Sequence, residues 1–192
     1  MDTLFIPTGA KIFIANASSM YTNINSTSGI PAFRTLFTIY SHLIPPTFPT
    51  NLFLTTLKLV MENNIFMFGD TFWLQNSGMA MGTPAAPLYA TLTFGIHEYI
   101  NILPRFTSNI YYYRRYLDGL FCIWLPSIDT TWNDFKLILN SFGKLTWNVE
   151  ELSTLTTFLD LNITITNNKL QFNTYQKPLN FYQYMPSFSS HP

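Results

Sequence analysis

Residues 115–119 (Arg-Tyr-Leu-Asp-Gly) contain the side chains of this sequence that are best suited to chemistry. They connect two aromatic-containing runs, residues 111–116 and 120–125, that predict consecutive β-strands. This arrangement predicts that Asp118 lies at the tip of a β-hairpin. Mg²⁺ prefers oxygen ligands such as carboxylates, so the Asp118 side chain is a candidate metal ligand.

Phosphoryl transfer by two metal ions needs more than one acid. The two divalent ions lie about 3.5–4 Å apart. One Asp at the end of a strand and another at the tip of the adjacent hairpin hold such a pair most simply. The candidate on the strand is Asn16, which follows the predicted strand 11–15 and has the shape of Asp without its charge.

Several motifs, in order along the chain, resemble the palm region of Penelope-like reverse transcriptases. Residues 16–24 (Asn-Ala-Ser-Ser-Met-Tyr-Thr-Asn-Ile) resemble the first motif of that family, Asp-Val-Ser-Ser-Leu-Tyr-Thr-Asn-Ile. Residues 75–84 (Gln-Asn-Ser-Gly-Met-Ala-Met-Gly-Thr-Pro) resemble the second motif, and residues 115–119 resemble the Arg-Tyr-Ile-Asp-Asp of the third. Further matches, at residues 158–160, 175–178 and 189–192, extend the resemblance almost from end to end.

The resemblance implies a metal site that has lost most of its acids. Asp118 would be the remaining metal-binding carboxylate, and Asn16 stands at the position of the other metal-binding Asp. Gly119 replaces the second hairpin acid, so two of the three expected carboxylates are missing. The implied cofactor is Mg²⁺ or Mn²⁺, and we expect it to bind weakly.

The resemblance also implies residues that contact the nucleotide and the nucleic acid. Tyr21 would line the sugar side of the incoming deoxynucleotide, and Gln75, Gly78 and Gly82 would shape the loop that passes template and nucleotide. Arg115 is a candidate contact to the nucleic-acid backbone. The implied partners are an RNA template, a DNA primer and deoxynucleotides, and the implied location is intracellular or nuclear.

Around these motifs, the sequence predicts an α+β fold with a polymerase palm-like antiparallel sheet and helices packed on one face. Strands are predicted at residues 11–15, 65–68, 71–74, 111–116, 120–125, 145–149, 157–166 and 169–175. Helices are predicted at residues 32–43, 51–63, 84–102 and 130–142, the last with Asp129 as its cap and Gly143 as its stop.

Length and composition predict one domain with a substantial core. The 192 residues correspond to a single palm domain, with the fingers, thumb and endonuclease domains expected to be absent. Ten basic residues balance ten acidic ones, whereas nucleic-acid-binding chains usually have a basic excess. Cys122 is the only cysteine, which excludes an internal disulfide. The sequence contains no continuous run of about 20 apolar residues, and it therefore predicts no membrane span.

Each candidate residue also has a structural interpretation. Asp-Gly is a hairpin-turn signal in its own right, and an Asn at a strand end is ordinary. Gly78 and Gly82 can serve loop geometry alone, and Asp160 is expected to point outward from an apolar strand.

Two main hypotheses for function follow. The first is a palm domain with little or no polymerase activity, because one carboxylate cannot offset the charge of two divalent ions. The alternative is a non-enzymatic module that binds nucleic acid or protein through the palm surface, with Tyr111, Tyr113 and Arg115 sharing one face of a strand. A membrane-associated protein is a third, weaker possibility.

Overall fold

Strands and helices are intermixed along the chain, as a computed structural model shows for residues 4–127 and 132–176. The strands are β1 Lys11–Ser18, β2 Ile65–Phe68, β3 Thr71–Leu74, β4 Ile110–Tyr116, β5 Gly119–Trp124, β6 Thr146–Val149, β7 Leu155–Phe158, β8 Leu161–Thr166 and β9 Lys169–Thr174. The α-helices are α1 Met20–Asn23, α2 Gly29–Ile39, α3 Thr50–Glu62, α4 Ala86–His97 and α5 Trp132–Leu139. A 3₁₀ helix, Ser41–Leu43, follows α2, and a π-helix, Glu98–Ile102, continues α4.

The main sheet has four antiparallel strands in the order β4-β5-β1-β6. The predicted central hairpin is confirmed as β4 and β5, with Tyr116 opposite Gly119 and a turn at Leu117 and Asp118. All six residues of β5 are buried. This is the pattern of a strand that is covered on both of its faces, and it explains why β5 is apolar throughout.

Helices cover one face of this sheet, as the sequence predicts. Phe13 of β1 and Trp124 of β5 both pack against Phe135 of α5, with ring centroids 5.2 Å and 5.1 Å apart. Phe94 of α4 packs against Trp147 of β6 at 5.0 Å. These aromatic side chains bury the largest apolar areas in a core. The predicted α+β class with an antiparallel sheet is therefore confirmed.

A smaller sheet, in the order β7-β8-β9, covers the opposite face. Ile163 of β8 packs there with Ile12, Ile14 and Phe121 of the main sheet. The predicted single strand at residues 157–166 is wrong, because the chain turns between β7 and β8.

This turn explains the position of Asp160. Leu159 adopts a positive φ of 54°, and Asp160 lies exposed in the turn rather than within a strand. The apolar residues on both sides of this turn hide it in the sequence, because they continue the pattern of one strand.

Several other boundaries differ from the predictions. β1 extends to Ser18, because its second half pairs with β6 as well as with β5. The predicted helix at 32–43 begins earlier, at Gly29, and its last turn is a separate 3₁₀ helix. α5 ends at Leu139, before the predicted stop at Gly143.

Some sequence predictions fall outside the described residues. These are the predicted cap Asp129 and the motif residues 177–178 and 189–192. Within the described ranges, no helix has the length and apolarity needed to cross a membrane.

The predicted hairpin of β2 and β3 is confirmed with the predicted ends. It forms a sheet of its own, and all eight of its strand residues are exposed. Seven of those residues are large and apolar.

Candidate functional site

The end of β1 and the turn of the β4–β5 hairpin lie side by side. Asn16 is opposite Gly119 in the β1–β5 ladder. The next backbone group, the Ala17 N–H, donates a hydrogen bond of 2.8 Å to the Asp118 carbonyl. The structure thus brings together the three positions at which the sequence predicts a metal site. Asn16 lies within the strand rather than after it, because β6 extends the pairing.

Exposure differs among these three positions. Asn16 and Asp118 are exposed, so both side chains are accessible to a hydrated ion, whereas Gly119 is buried. A Cβ at Gly119 would lie 3.4 Å from the ring of Phe158, which is ordinary van der Waals contact. Gly119 is therefore not required by a positive φ, and the site accommodates a Cβ beside an aromatic ring.

The three positions of the predicted metal site offer only one carboxylate. Asp118 offers a carboxylate, and Asn16 offers a neutral amide oxygen. Mg²⁺ commonly keeps several waters and binds through one or two carboxylates. Among the described residues, no group of three or more His, Cys, Asp or Glu side chains is placed to hold a metal. The donor set thus does not match a two-ion centre.

The first two motifs meet next to this strand end. The Met79 N–H donates a hydrogen bond of 2.7 Å to the carbonyl of Tyr21, which lies in α1. Gly78 has a φ of +74°, and a Cβ there would come within 2.8 Å of the Tyr21 carbonyl oxygen and of the Thr22 Cα. Gly78 is therefore required by backbone packing, and the buried Met79 anchors the loop in the core.

The other two loop candidates are less constrained. Gln75 donates its side-chain amide to the Ser77 carbonyl at 2.9 Å, which stabilises the loop locally. Gly82 is exposed, and a Cβ there would meet no atom within 4 Å. Packing therefore does not explain the Gly at position 82.

The structure gives Arg115 a different role from the predicted contact with nucleic acid. Its side chain is only 5% exposed and forms an ion pair of 2.7 Å with Glu98, whose side chain is 9% exposed. Tyr113 donates a hydrogen bond of 2.6 Å to the same carboxylate. Burial, followed by the neighbouring Glu98, raises the pKa of the Tyr113 hydroxyl well above its ordinary value.

Tyr113 and Arg115 share one face of β4, as predicted, but Tyr111 does not join them and this face is not an exposed binding surface. The register of β4 shifts between Ile110 and Tyr112, which interrupts the alternation at Tyr111. Tyr113 and Arg115 point into the helical side of the sheet, where their polar atoms meet Glu98. They do not form an exposed surface on which bases could stack.

Sequence reasoning missed Glu98. One signal was available, because Glu98 is the only acidic residue between Asp70 and Asp118 in the sequence. An isolated acid in such an apolar stretch is seldom buried unless it is paired. The partner was not predictable from spacing, since Arg115 lies on a different element.

Comparisons with known proteins identify the fold. No protein family and no curated protein matches the sequence. Among solved structures, a telomerase from Candida albicans in complex with a TWJ fragment of telomeric RNA aligns with a TM-score of 0.64 and 13% identity, over 91% of this chain and 33% of that chain.

Two telomerase structures from Candida tropicalis are also similar. The apo form, truncated from its C-terminal domain, has a TM-score of 0.56 and 11% identity over 85% of this chain and 35% of that one. The complex with a TWJ fragment of telomeric RNA has a TM-score of 0.57 and 12% identity, over 84% and 29%. This chain spans about a third of the length of these telomerases. At these identities the likeness shows the fold alone, an α+β fold that this chain shares with part of these telomerase structures.

Proposed function

We propose that this chain is the palm domain of a Penelope-like reverse transcriptase whose nucleotidyl-transfer site has decayed. One observation carries the proposal, the juxtaposition of Asn16, Gly119 and the Asp118 turn at the end of β1. The ordered motifs around these positions support the Penelope-like assignment, and the telomerase-like fold supports the palm.

The ancestral reaction is the RNA-templated addition of deoxynucleotides to a primer hydroxyl. Divalent ions, when bound, activate the attacking hydroxyl and stabilise the charge on the triphosphate. The role of the protein would be to hold such ions. Only Asp118 contributes a negative charge at the site. Asn16 offers an oxygen but cannot offset the charge of an ion, and Gly119 offers neither. We therefore propose little or no polymerase activity.

A primer-extension assay tests this proposal. The protein is incubated with an RNA template, a DNA primer, deoxynucleotides and either Mg²⁺ or Mn²⁺. We expect no more incorporation than in the Asp118→Ala variant. The matched control is Asp160→Ala, which removes another exposed acid from a tight turn, the turn between β7 and β8. Incorporation that disappears in Asp118→Ala and persists in Asp160→Ala would contradict the proposed loss of activity.

A non-enzymatic palm that still binds nucleic acid is a narrower proposal. The Candida structures with bound telomeric RNA support it by analogy of fold. A net charge of zero limits the electrostatic part of such binding. Gel-shift measurements with a primer–template duplex at low salt, where electrostatic affinity is greatest, decide the matter. No shift at low salt would remove this alternative.

A further inference from the structure

The guanidinium of Arg115 links the turn of the β4–β5 hairpin to α4 and to the π-helix that follows it. One nitrogen, Nη1, donates a hydrogen bond of 2.9 Å to the Leu117 carbonyl in the turn. The other terminal nitrogen, Nη2, donates to the Thr91 carbonyl of α4 and to Glu98 Oε2, both at 2.8 Å. Nε donates to Glu98 Oε1 at 2.7 Å. A single side chain thus joins the turn, α4 and the π-helix.

The turn needs such support because of its backbone. Leu117 has a φ of +51°, a left-handed conformation that a branched side chain adopts at a cost in free energy. Its carbonyl is the group that Arg115 binds, and the next residue is Asp118. On the other side of the turn, the Ala17 N–H binds the Asp118 carbonyl at 2.8 Å. The turn is therefore fixed at two consecutive carbonyls, by Arg115 and by β1.

Glu98 orients the guanidinium. Its two carboxylate oxygens bind Nε and Nη2, a two-point contact that fixes the plane of the guanidinium and leaves Nη1 directed at the turn. The ring of Phe94 lies 5.1 Å from the Arg115 Cζ and covers one side. Glu98 begins the π-helix, in which the Leu103 N–H reaches back five residues to the Glu98 carbonyl at 2.9 Å. A lysine could satisfy Glu98 but not all of these acceptors.

We infer that Arg115, oriented by Glu98, is a positioning residue that sets the conformation of the Asp118 turn. The effect of Arg115 on metal binding rests on the proposed function, since it assumes that Asp118 binds the metal ion. Its direct effect on the rigidity of the turn does not depend on any metal or nucleic acid. The inference and the proposed function can therefore fail separately.

Amide hydrogen exchange, followed by NMR on the full chain without metal, tests the inference. The Ala17 amide reports on the turn, because its acceptor is the Asp118 carbonyl. In Arg115→Lys we expect exchange at Ala17 to rise roughly tenfold more than at β1 amides distant from the turn, as for the loss of one charge-assisted hydrogen bond. Glu98→Gln should give the same local rise in exchange at Ala17. This variant tests the inference if Arg115→Lys fails to fold.

Two matched controls separate positioning from general loss of stability. Tyr113→Phe removes a hydrogen bond from the same Glu98 carboxylate but leaves the bond from Arg115 to Leu117 in place. It should destabilise the protein without a specific effect at Ala17. Arg114→Lys changes the exposed neighbouring residue of β4 and should leave all exchange rates unchanged. A uniform rise in exchange in Arg115→Lys, like that in Tyr113→Phe, would overturn the inference.

Titration with Mn²⁺ alone completes the test, with paramagnetic broadening of the Asp118 signals as the readout. Broadening in the natural protein that weakens in Arg115→Lys supports the inference together with a metal role for Asp118. A local rise in exchange without any Mn²⁺ broadening supports the inference and contradicts the metal site. Broadening that is equal in both proteins, with unchanged exchange at Ala17, overturns the inference and leaves the metal site standing.

Discussion

At the scale of single residues, the three positions of the proposed metal site lie together at one point of the sheet. Asn16 and Gly119 are direct neighbours across β1 and β5, and Asp118 adjoins Gly119 in the chain. Acids introduced at positions 16 and 119 would therefore place three carboxylates, with that of Asp118, within one small region. Such a cluster has a high affinity for hard cations and repels itself when they are absent.

The double substitution Asn16→Asp with Gly119→Asp should strengthen Mg²⁺ binding more than either single change, because the three acids would share one ion. Without metal, the double variant should melt at a lower temperature than the natural protein and should recover with Mg²⁺. An Asp at position 119 contributes to the lower melting temperature, since its Cβ would lie beside the Phe158 ring. Calorimetric titration and thermal melts of the four proteins provide the measurement.

Asn173→Asp, an exposed change on β9, is the matched control for added charge. It should alter neither Mg²⁺ affinity nor melting temperature appreciably. Equal Mg²⁺ affinity in all four site variants would mean that positions 16 and 119 do not face a metal site.

A second residue-scale prediction compares the two glycines of the second motif. Gly78→Ala should destabilise the fold by at least about 2 kcal/mol, because it forces a left-handed backbone and brings a Cβ against the backbone of Tyr21 and Thr22. Gly82→Ala should change stability by less than about 0.5 kcal/mol, since a Cβ there meets no neighbour. Urea unfolding of both variants measures the difference. Equal effects would contradict the packing argument for Gly78.

At the scale of elements, the junction of α4 and the π-helix is held by His97. Its Nε2 lies 3.1 Å from the Ile138 carbonyl in α5, and its Nδ1 lies 3.1 Å from the Asn101 side-chain amide. A neutral ring with the proton on Nε2 satisfies both contacts. Burial lowers the pKa of His97 below its ordinary value of 6.5.

This shift predicts a loss of stability in mild acid. The folded-state pKa lies below the unfolded value, so the stabilisation is present in full above about pH 6.5 and is lost as the pH falls toward the folded pKa. The free energy of unfolding should therefore decrease between pH 7.5 and 5.5. His97→Gln should remove most of that decrease, whereas His42→Gln, at an exposed histidine, should retain it. Identical pH profiles for the natural protein and His97→Gln would exclude His97 as the cause.

The elements that the sequence predicted well are those with strong local signals. The β2–β3 and β4–β5 hairpins have an apolar run on each side of an obvious turn, and both are confirmed. The turn at Leu159 and Asp160 is not an obvious turn in the sequence, because apolar residues lie directly on both sides of Asp160. The pairing of Asn16 with Gly119 was predictable only through the motifs. The bond from Glu98 to Arg115 depends on how α4 packs on the sheet, which local sequence does not encode.

At the scale of the whole molecule, apolar surface is exposed on one hairpin and charged residues are few. Only 10% of the residues are charged. The β2–β3 hairpin exposes seven large apolar side chains, including Phe68 at 79% and Phe72 at 72% exposure. Contiguous exposed apolar surface of this kind promotes association, as do unpaired strand edges. The limited charge of the chain provides little repulsion to oppose it.

The double substitution Phe68→Lys with Phe72→Lys should therefore raise the solubility of the isolated chain severalfold. The melting temperature should change by no more than about 2 °C, because both side chains are already exposed to water in the folded state. Light scattering against concentration, together with thermal melts, measures the two effects. Leu137→Lys adds one charge at an apolar residue of α5 that is 69% exposed, and it controls for charge alone. A similar gain in solubility from Leu137→Lys would show that general charge, rather than the hairpin surface, limits solubility.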